Sequence, residues 1–167
     1  MTSSKHSRSV EPARRLASAG DAAPSIREAT AADLDQIIAI DAEITGLKKV
    51  DYWFEVFHRY GSRARQQRHF LVAESDGRIE GFILGEIRDW EFGEPPCGWV
   101  FGISVRPGAR LGGIGTRLLD ALCAGFKRAG VTKVMTLLAR ENTLVMSFFR
   151  AHGMMAAPFL ALEREIE

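Results

Sequence analysis

A basic, glycine-rich stretch in the middle of the chain carries the residue types that bind phosphate. It reads VRPGARLGGIGTRLL over residues 105–119. Glycine permits a positive φ and a close backbone approach, so several N–H groups of such a turn can point the same way. Arg110 adds a donor with a fixed positive charge. These residues predict an anion-binding turn.

The segments on either side predict how this turn is held. An apolar run from Gly98 to Val105 precedes it and indicates a buried strand that stops before Pro107. After the turn, apolar residues at 114, 118, 122 and 126 share one helix face. The order strand, turn, helix places the partial positive charge of a helix N-terminus behind the glycines, where an anion is stabilised.

Two nucleotide-binding motifs fit this turn poorly. A P-loop needs Lys followed by Ser or Thr after its glycines, but the residue immediately before Thr116 is Gly115. A dinucleotide-binding motif needs G-x-G-x-x-G or A, but Gly113 and Gly115 are followed by Leu118. Residues 129–133 also lack the acidic side chain that such a motif requires. Both interpretations are disfavoured.

Composition bounds the remaining possibilities. The chain has 167 residues, a hydrophobic fraction of 46% and a net charge of +1, which fit one globular domain and disfavour nucleic acid as a partner. Cys97 and Cys123 form no metal-binding pattern, so no metal is expected. No apolar run reaches the roughly 20 residues that span a bilayer, so we expect a cytoplasmic protein without membrane contact. Residues 1–24 lack a periodic apolar face and are expected to be a disordered tail.

Hydrophobic periodicity predicts a mixed α+β fold with an antiparallel first half and a late crossover. Helices are expected at Ala31–Ile44, at Val50–Tyr60, from Ile114 to just before Gly130, and from Asn142 to His152. Strands are expected at Ser25–Ala29, His69–Ser75, Arg78–Arg88, Gly98–Val105, Val131–Ala139 and Ala156–Ile166. The aromatic side chains of residues 50–60 either fill the core or line a ligand pocket.

Three segments, in the expected order and spacing, resemble the GCN5-related N-acetyltransferase (GNAT) superfamily. Arg110-x-x-Gly113-x-Gly115 after Val105-x-Pro107 is similar to its acetyl-CoA-binding motif. Asn142 followed by Phe148–Met154 resembles its fourth-helix segment, and Ile26–Asp33 looks like its usual start. The resemblance covers residues 25–167 and implies a three-layer fold, in which a central mixed sheet of six to seven strands packs with about four helices.

The resemblance also implies a binding site for acetyl-CoA as co-substrate. The backbone of the turn would hold the pyrophosphate with Arg110 nearby, and the backbone at Ile103, Ser104 and Val105 would pair with the pantetheine arm. Asn142 and Phe149 would contact the cofactor where two strands separate. The turn residues are Leu111, Gly112, Gly113, Ile114, Gly115 and Thr116.

Two departures from the family pattern concern the handling of protons. The family's frequent acid, a tyrosine on the fourth helix, is Phe149 here and cannot donate a proton. Its strand glutamate is replaced by Trp99. Since an ammonium group must lose a proton before it attacks, a base must come from elsewhere. Glu86 on the predicted return strand and Glu94 in the next loop are the candidates.

The function expected from these residues is direct acetyl transfer from acetyl-CoA to a primary amine, with a small-molecule amine favoured over a protein amino terminus or lysine. The alternative is a non-catalytic module that binds acyl-CoA, because both usual proton-handling residues are replaced. A monomer or a homodimer is compatible with the sequence.

Overall fold

The computed structural model describes residues 23–61, 67–90, 93 and 95–166. Its strands are β1 (Ser25–Glu28), β2 (Arg68–Ser75), β3 (Arg78–Arg88), β4 (Cys97–Val105) and β5 (Val134–Thr136). Its helices are α1 (Leu34–Thr45), α2 (Val50–Tyr60), α3 (Ile114–Arg128) and α4 (Thr143–Ala151). Short 3₁₀ turns precede α1 at Ala31–Asp33 and α3 at Pro107–Ala109.

The strands form one mixed sheet in the order β1-β2-β3-β4-β5. The first four strands pair antiparallel, and loops connect β2 to β3 and β3 to β4. Asp76 and Gly77, both at positive φ, make the tight turn between β2 and β3. The pairing of β4 with β5 is parallel, since α3 carries the chain back across the sheet.

Apolar residues cover both faces of the sheet. On one face α1 and α2 pack against Phe70, Val72, Phe82 and Leu84. On the other face α3 buries Leu118, Leu122 and Phe126 against the opposite side of the same strands, and Phe149 of α4 joins this second cluster. The 3.6-residue spacing of apolar residues in α3 is what gives it this continuous buried face.

The structure confirms the mixed α+β class, the antiparallel first half and the four helices. The predicted bounds of α2 and β3 agree with the structure to the residue. Residues 1–22, which make up nearly all of the predicted tail, lie outside the described residues.

Two strand predictions were wrong, and five strands rather than six to seven form the sheet of the described residues. The segment predicted at Val131–Ala139 pairs only over Val134–Thr136, because Val131 is still bonded to the end of α3 through Phe126 and the chain leaves β4 after Thr136. The segment predicted at Ala156–Ile166 forms no strand, since every residue from 155 to 166 is exposed and none pairs with the sheet.

Candidate functional site

A cleft opens where β4 and β5 separate. The two strands pair at only three positions, Gly98 with Val134, Trp99 with Met135 and Val100 with Thr136. Beyond them β4 continues for five residues while β5 has ended. The resulting cavity measures about 190 Å³ and is lined by Val100, Phe101, Gly102, Ile103, Thr136, Leu137, Leu138, Ala139, Asn142, Val145 and Phe149.

Side-chain and backbone features fix the point of separation. The Thr136 hydroxyl donates to the Val100 carbonyl at 3.0 Å and so closes the last paired position with a side chain. On the other side of β4, the register with β3 shifts between Leu84 and Gly85, so Phe101 is the extra residue of a bulge. From Gly102 to Val105 the β4 backbone has a described sheet neighbour only on the β3 side. Its other edge therefore faces the cleft.

The glycine-rich turn follows β4 directly and leads into α3. Leu111 and Gly113 both adopt positive φ, near 70° and 73°, and Gly113 is the residue that precedes the first helical turn. The first backbone bond of α3 runs from Arg117 N to Gly113 O, so the N–H groups of Ile114, Gly115 and Thr116 have no partner within the helix. No side chain caps this helix end and no acidic residue lies in its first turn. An uncapped helix N-terminus without its own negative charge suits an anion.

Arg110 lies at the edge of this turn. Its Nε donates to the Val105 carbonyl at 3.4 Å, and the side chain is exposed. This bond ties the Arg110 side chain to the end of β4. The turn therefore carries a positive charge in addition to its backbone donors.

Helix α4 connects the turn to the cleft. A Cβ on Gly115 would lie 3.1 Å from the Phe148 ring, so a larger residue there would press against α4 where it approaches α3. His152 spans the same interface: one ring nitrogen lies 2.8 Å from the Phe148 carbonyl and the other 3.0 Å from the Thr116 hydroxyl. Because the carbonyl can only accept, Nδ1 of His152 donates to it.

The other end of α4 forms one wall of the cleft. Asn142 accepts a hydrogen bond from Val145 N at 3.2 Å and so caps the helix, while it also lines the cavity. Phe149 is buried and lines the same cavity. Asn142 therefore both caps α4 and lies at the cleft.

Glu86 is held within a cluster of charged and aromatic side chains, here called the Glu86 cluster, which comprises Tyr60, Arg68, Glu86, Arg88, Trp99 and Phe101. Arg68 Nε donates to one carboxylate oxygen of Glu86 at 2.9 Å and Arg88 Nε to the other at 3.1 Å. Trp99 is the residue opposite Glu86 on β4, and the Arg88 guanidinium lies over the Trp99 and Phe101 rings. Phe101 also lines the cleft, so it joins the cluster to the cavity.

Tyr60 is a member of this cluster that sequence reasoning did not single out. It is buried at the end of α2, with its ring centroid 5.8 Å from that of Phe101. Burial, and secondarily the charge of Glu86, raise the pKa of the Tyr60 hydroxyl, so it stays protonated at neutral pH. Trp53 and Tyr60 of α2 both belong to the buried core, and Tyr60 also contacts Phe101, which lines the cleft.

The structure brings most of the sequence-predicted residues to one region. Ile103 lines the cavity with Asn142 and Phe149, and Ser104 and Val105 continue the same β4 edge toward the turn. Glu94 lies outside the described residues. The sequence did not assign several residues of this region to the site, because their positions depend on long-range packing. These residues are Tyr60, Arg68, Arg88, Phe101, Thr136, Leu138, Val145 and His152. Only the segment from Asn142 to His152 gave a local signal.

Neither cysteine has the features of a nucleophile. Cys97 is buried next to Met135. Burial raises the pKa of the Cys123 thiol, and the charge of Asp120 adds to this effect. A thiol with a raised pKa is mostly protonated at neutral pH and is a weak nucleophile.

In the described part of the chain, no group of His, Cys, Asp and Glu is arranged to hold a metal ion. Within that same part, each helix is too short or too polar to cross a bilayer.

Comparison with known proteins adds a family match. A family model described as "Acetyltransferase (GNAT) family" matches residues 34–154. The L-2,4-diaminobutyric acid acetyltransferase of Nocardia farcinica (strain IFM 10152) is 33% identical over 81 residues. That match covers 48% of this chain and 40% of the relative, so the chain spans less than half the length of the relative that it matches.

Solved structures share the fold at lower identity. The aminoglycoside acetyltransferase AAC(6′)-Iy, in complex with a bisubstrate analogue of CoA, has a TM-score of 0.75 at 20% identity over 87% of this chain and 99% of that one. A transcriptional regulator from Bacillus halodurans C-125 has a TM-score of 0.72 at 18% identity over 86% and 99% of the two chains. At this level of identity the likeness shows a common fold.

Proposed function

Since the chain belongs to the acetyltransferase (GNAT) family, we propose that it is an acetyl-CoA-dependent N-acetyltransferase that transfers the acetyl group directly to a primary amine. The observation that carries this proposal is the separation of β4 from β5 into a cleft that α4 joins to the uncapped N-terminus of α3. An extended strand edge next to an anion site suits a ligand with a diphosphate and a narrow, amide-containing arm.

The residues of this region fit acetyl-CoA, which would supply an activated acetyl thioester. The N–H groups of residues 111–116 are assigned to the pyrophosphate, and Arg110 is assigned to neutralise its charge. The backbone of Ile103–Val105 is assigned to the amides of the pantetheine arm. A cavity of about 190 Å³ is below the usual volume of a site for a whole drug-sized ligand, so the nucleotide is expected outside it, over the turn.

Glu86 is the carboxylate that we assign to accept the proton of the attacking ammonium group. Arg68 and Arg88 each donate one hydrogen bond to a different oxygen of Glu86, and a carboxylate oxygen can accept more than one such bond. The Glu86 cluster is connected to the cavity through Phe101. Phe149, at the position of the family's acid, has no proton to donate, so the thiolate is expected to leave without a side-chain acid from α4.

The change Glu86→Gln tests this assignment. It removes the basic oxygen but keeps the shape of the side chain, so we expect kcat/KM for the amine to fall roughly 10²–10⁴-fold, with the Kd for acetyl-CoA unchanged. Glu80→Gln is the matched control, because Glu80 is another ion-paired carboxylate on β3. If Glu94→Gln abolishes turnover and Glu86→Gln does not, the role of base passes to Glu94.

A small-molecule amine is the acceptor that we favour. The diaminobutyrate and aminoglycoside acetyltransferases described above are named for small amine acceptors. We therefore propose a panel of L-2,4-diaminobutyrate, an aminoglycoside, a polyamine, a peptide amino terminus and a lysine peptide. Release of free thiol from acetyl-CoA, with mass detection of the acetylated product, identifies the acceptor class.

One observation favours a second candidate, a non-catalytic module that binds acyl-CoA. None of the side chains that line the described cavity can gain or lose a proton near neutral pH. Calorimetric titration with acetyl-CoA followed by the thiol-release panel separates the two candidates. Binding without release above background for every amine would reject the enzyme and support the module.

A substitution at Gly113 tests the cofactor site under either candidate. No atom lies within 4 Å of a Cβ at this position, so a side chain there does not disturb the protein's own packing. Gly113→Asp places a negative charge at the proposed pyrophosphate site, and we expect the Kd for acetyl-CoA to rise at least 100-fold. Gly113→Asn is nearly the same size and also tolerates positive φ, so it separates charge from shape and should bind far more tightly than the Asp variant. Equal affinity of wild type and Gly113→Asp would place the pyrophosphate elsewhere.

A further inference from the structure

His152 joins the two helices that border the proposed pyrophosphate site, and the reaction proposed above gives it no role. It follows α4 directly, and its ring lies partly buried against the first turn of α3. Its Nδ1 lies 2.8 Å from the Phe148 carbonyl oxygen, and its Nε2 lies 3.0 Å from the Thr116 hydroxyl. The ring is therefore hydrogen-bonded to α4 on one side and to the start of α3 on the other.

The Phe148 carbonyl fixes which nitrogen of the neutral ring carries the hydrogen. A carbonyl oxygen only accepts, so Nδ1 carries the hydrogen and Nε2 is left with a lone pair. The opposite tautomer would set two lone pairs against each other at 2.8 Å. The Thr116 hydroxyl must then donate its single hydrogen to Nε2 of the neutral His152.

Thr116 lies where its hydroxyl can reach an anion at the start of α3. It is the third residue of the helix, and its own N–H is one of the groups that have no partner within the helix. Helical side chains lean toward the helix N-terminus, and a side chain at the third position can reach back to the residue that precedes the helix. The hydroxyl and these N–H groups therefore border the same space.

The neutral arrangement does not suit a phosphate group. A phosphate oxygen needs a donor, but the hydrogen of the Thr116 hydroxyl is already donated to His152. Protonation of Nε2 reverses this bond: Nε2 then donates to the Thr116 oxygen, and the hydroxyl hydrogen is released for the phosphate. The same proton places a positive charge next to the anion.

We propose that His152 is a positioning residue for acetyl-CoA, which takes up a proton when the diphosphate binds and so turns the Thr116 hydroxyl toward a phosphate oxygen. This inference rests on the proposed function, since it needs the diphosphate at the N-terminus of α3. The proton comes from solvent and is held at Nε2. By linkage, a complex that binds this proton more tightly than the free protein does also forms more tightly at lower pH.

The charged groups around His152 leave its partner to be the ligand. Among the described residues, the one ion pair of a histidine is that of His69. The charged residues nearest in sequence to the two bonded side chains, all of them exposed, are Arg110, Arg117, Asp120 and Arg150. Because solvent screens exposed charges, the partly buried His152 should respond most to an anion that is bonded through Thr116.

Proton uptake on binding tests this role, because a His152 that only packed α4 against α3 would take up no proton. Calorimetric titration at pH 7, in buffers of different ionisation enthalpy, measures the number of protons taken up per ligand. The ligand is acetyl-dephospho-CoA, since a phosphate monoester such as the 3′-phosphate itself titrates near neutral pH. An ordinary histidine is about one-quarter protonated at pH 7, so the uptake has a ceiling of about 0.75 proton per ligand. The Kd should rise roughly 5–20-fold from pH 6 to pH 8.

Matched variants assign this proton. His152→Gln keeps a polar side chain that cannot gain a proton, so the uptake and the pH dependence of Kd should be lost. Thr116→Val removes the connecting hydroxyl and should abolish most of the uptake, while Thr116→Ser keeps the hydroxyl and should retain it. His58→Gln changes an exposed histidine on α2 and should leave the uptake at the wild-type value.

Heteronuclear NMR of the histidine rings in wild-type protein gives a second readout. On saturation with the same ligand, the Nε2 signal of His152 should move from the position of a nitrogen without a hydrogen to that of a nitrogen with one. Binding without proton uptake, or uptake that persists in His152→Gln, overturns the inference and leaves the proposed function in place. Loss of the uptake in Asp120→Asn but not in His152→Gln assigns the proton to Asp120 and likewise overturns it. If wild-type protein binds no acetyl-CoA, the proposed function and this inference fall together.

Discussion

Asp33, one of two buried carboxylates in the described part of the chain, ties the start of α1 to β1. Arg27 donates to its two oxygens at 2.7 and 2.8 Å, and both the N–H and the hydroxyl of Thr30 donate to one of them. The bond with Arg27 is the main reason that the pKa of Asp33 lies below its ordinary value, and it outweighs the opposing effect of burial. The carboxylate is therefore more acidic in the folded protein than in the unfolded chain, where its pKa is about 3.9.

This residue should make stability depend on pH in one direction. Because the folded pKa is the lower one, the contribution of Asp33 is present above about pH 4 and is lost as the pH falls through the folded pKa. We expect Asp33→Asn to lower the free energy of unfolding by roughly 1.5–3 kcal/mol at pH 7, with a smaller difference from wild type near pH 3. Urea unfolding at both pH values measures this. Asp35→Asn, an exposed neighbour, should change little, and a difference for Asp33→Asn that grows on acidification would contradict the assignment.

Between elements, α1 and α2 are joined by a buried polar contact. Trp53 Nε1 of α2 donates to Asp41 of α1 at 2.8 Å, and Lys49 Nζ lies 3.0 Å from the same oxygen. Trp53 in turn packs on Phe82 of β3, with ring centroids 5.0 Å apart. This contact ties α2 both to α1 and to β3.

Removing the acceptor oxygen of Asp41 should lower the Tm more than removing only its charge does. Asp41→Ala leaves the buried Trp53 N–H without this acceptor, which costs about 1–3 kcal/mol and corresponds to a Tm lower by roughly 2–12 °C in a protein of this size. Asp41→Asn keeps an acceptor oxygen for Trp53 and loses only the ion pair with Lys49, so its Tm should lie between those of wild type and Asp41→Ala. Differential scanning calorimetry measures both, and equal Tm values for Asp41→Ala and wild type would show that Trp53 does not depend on Asp41.

The same elements show which parts of the fold and site could be read from sequence. The bounds of α2 and β3 follow from local signals, a run closed by Gly61 and the Asp76-Gly77 turn, and these are contained in a few consecutive residues. The length of β5 depends instead on where β4 leaves it, and the segment from Val131 to Leu138 carries no sign of that point. The glycine turn was predictable because its residues are adjacent; the Glu86 cluster draws from α2, β2, β3 and β4 and is formed only by packing.

At the level of the whole molecule, the two faces of the sheet have different roles. The α1 and α2 face is mostly apolar core, with Tyr60 of the Glu86 cluster at its edge, while the α3 and α4 face carries the turn and Phe149 of the cleft. Because the proposed cofactor contacts involve only β4, the turn and α4, cofactor binding should reduce local opening in those segments and leave local opening of α1 and α2 unchanged.

Hydrogen exchange with mass detection tests this division of roles. With acetyl-CoA at 100 times its Kd, peptides that cover residues 100–117 and 136–149 should exchange more slowly at labelling times of seconds to minutes, when local opening dominates. Peptides from α1 and β1 should be unaffected at those times.

The same ligand concentration adds about 2.7 kcal/mol to the free energy of unfolding, which corresponds to a Tm increase of roughly 5–11 °C. The Gly113→Asp variant should show neither effect. Protection centred on α1 and α2 would instead place the acetyl-CoA site on the other face of the sheet.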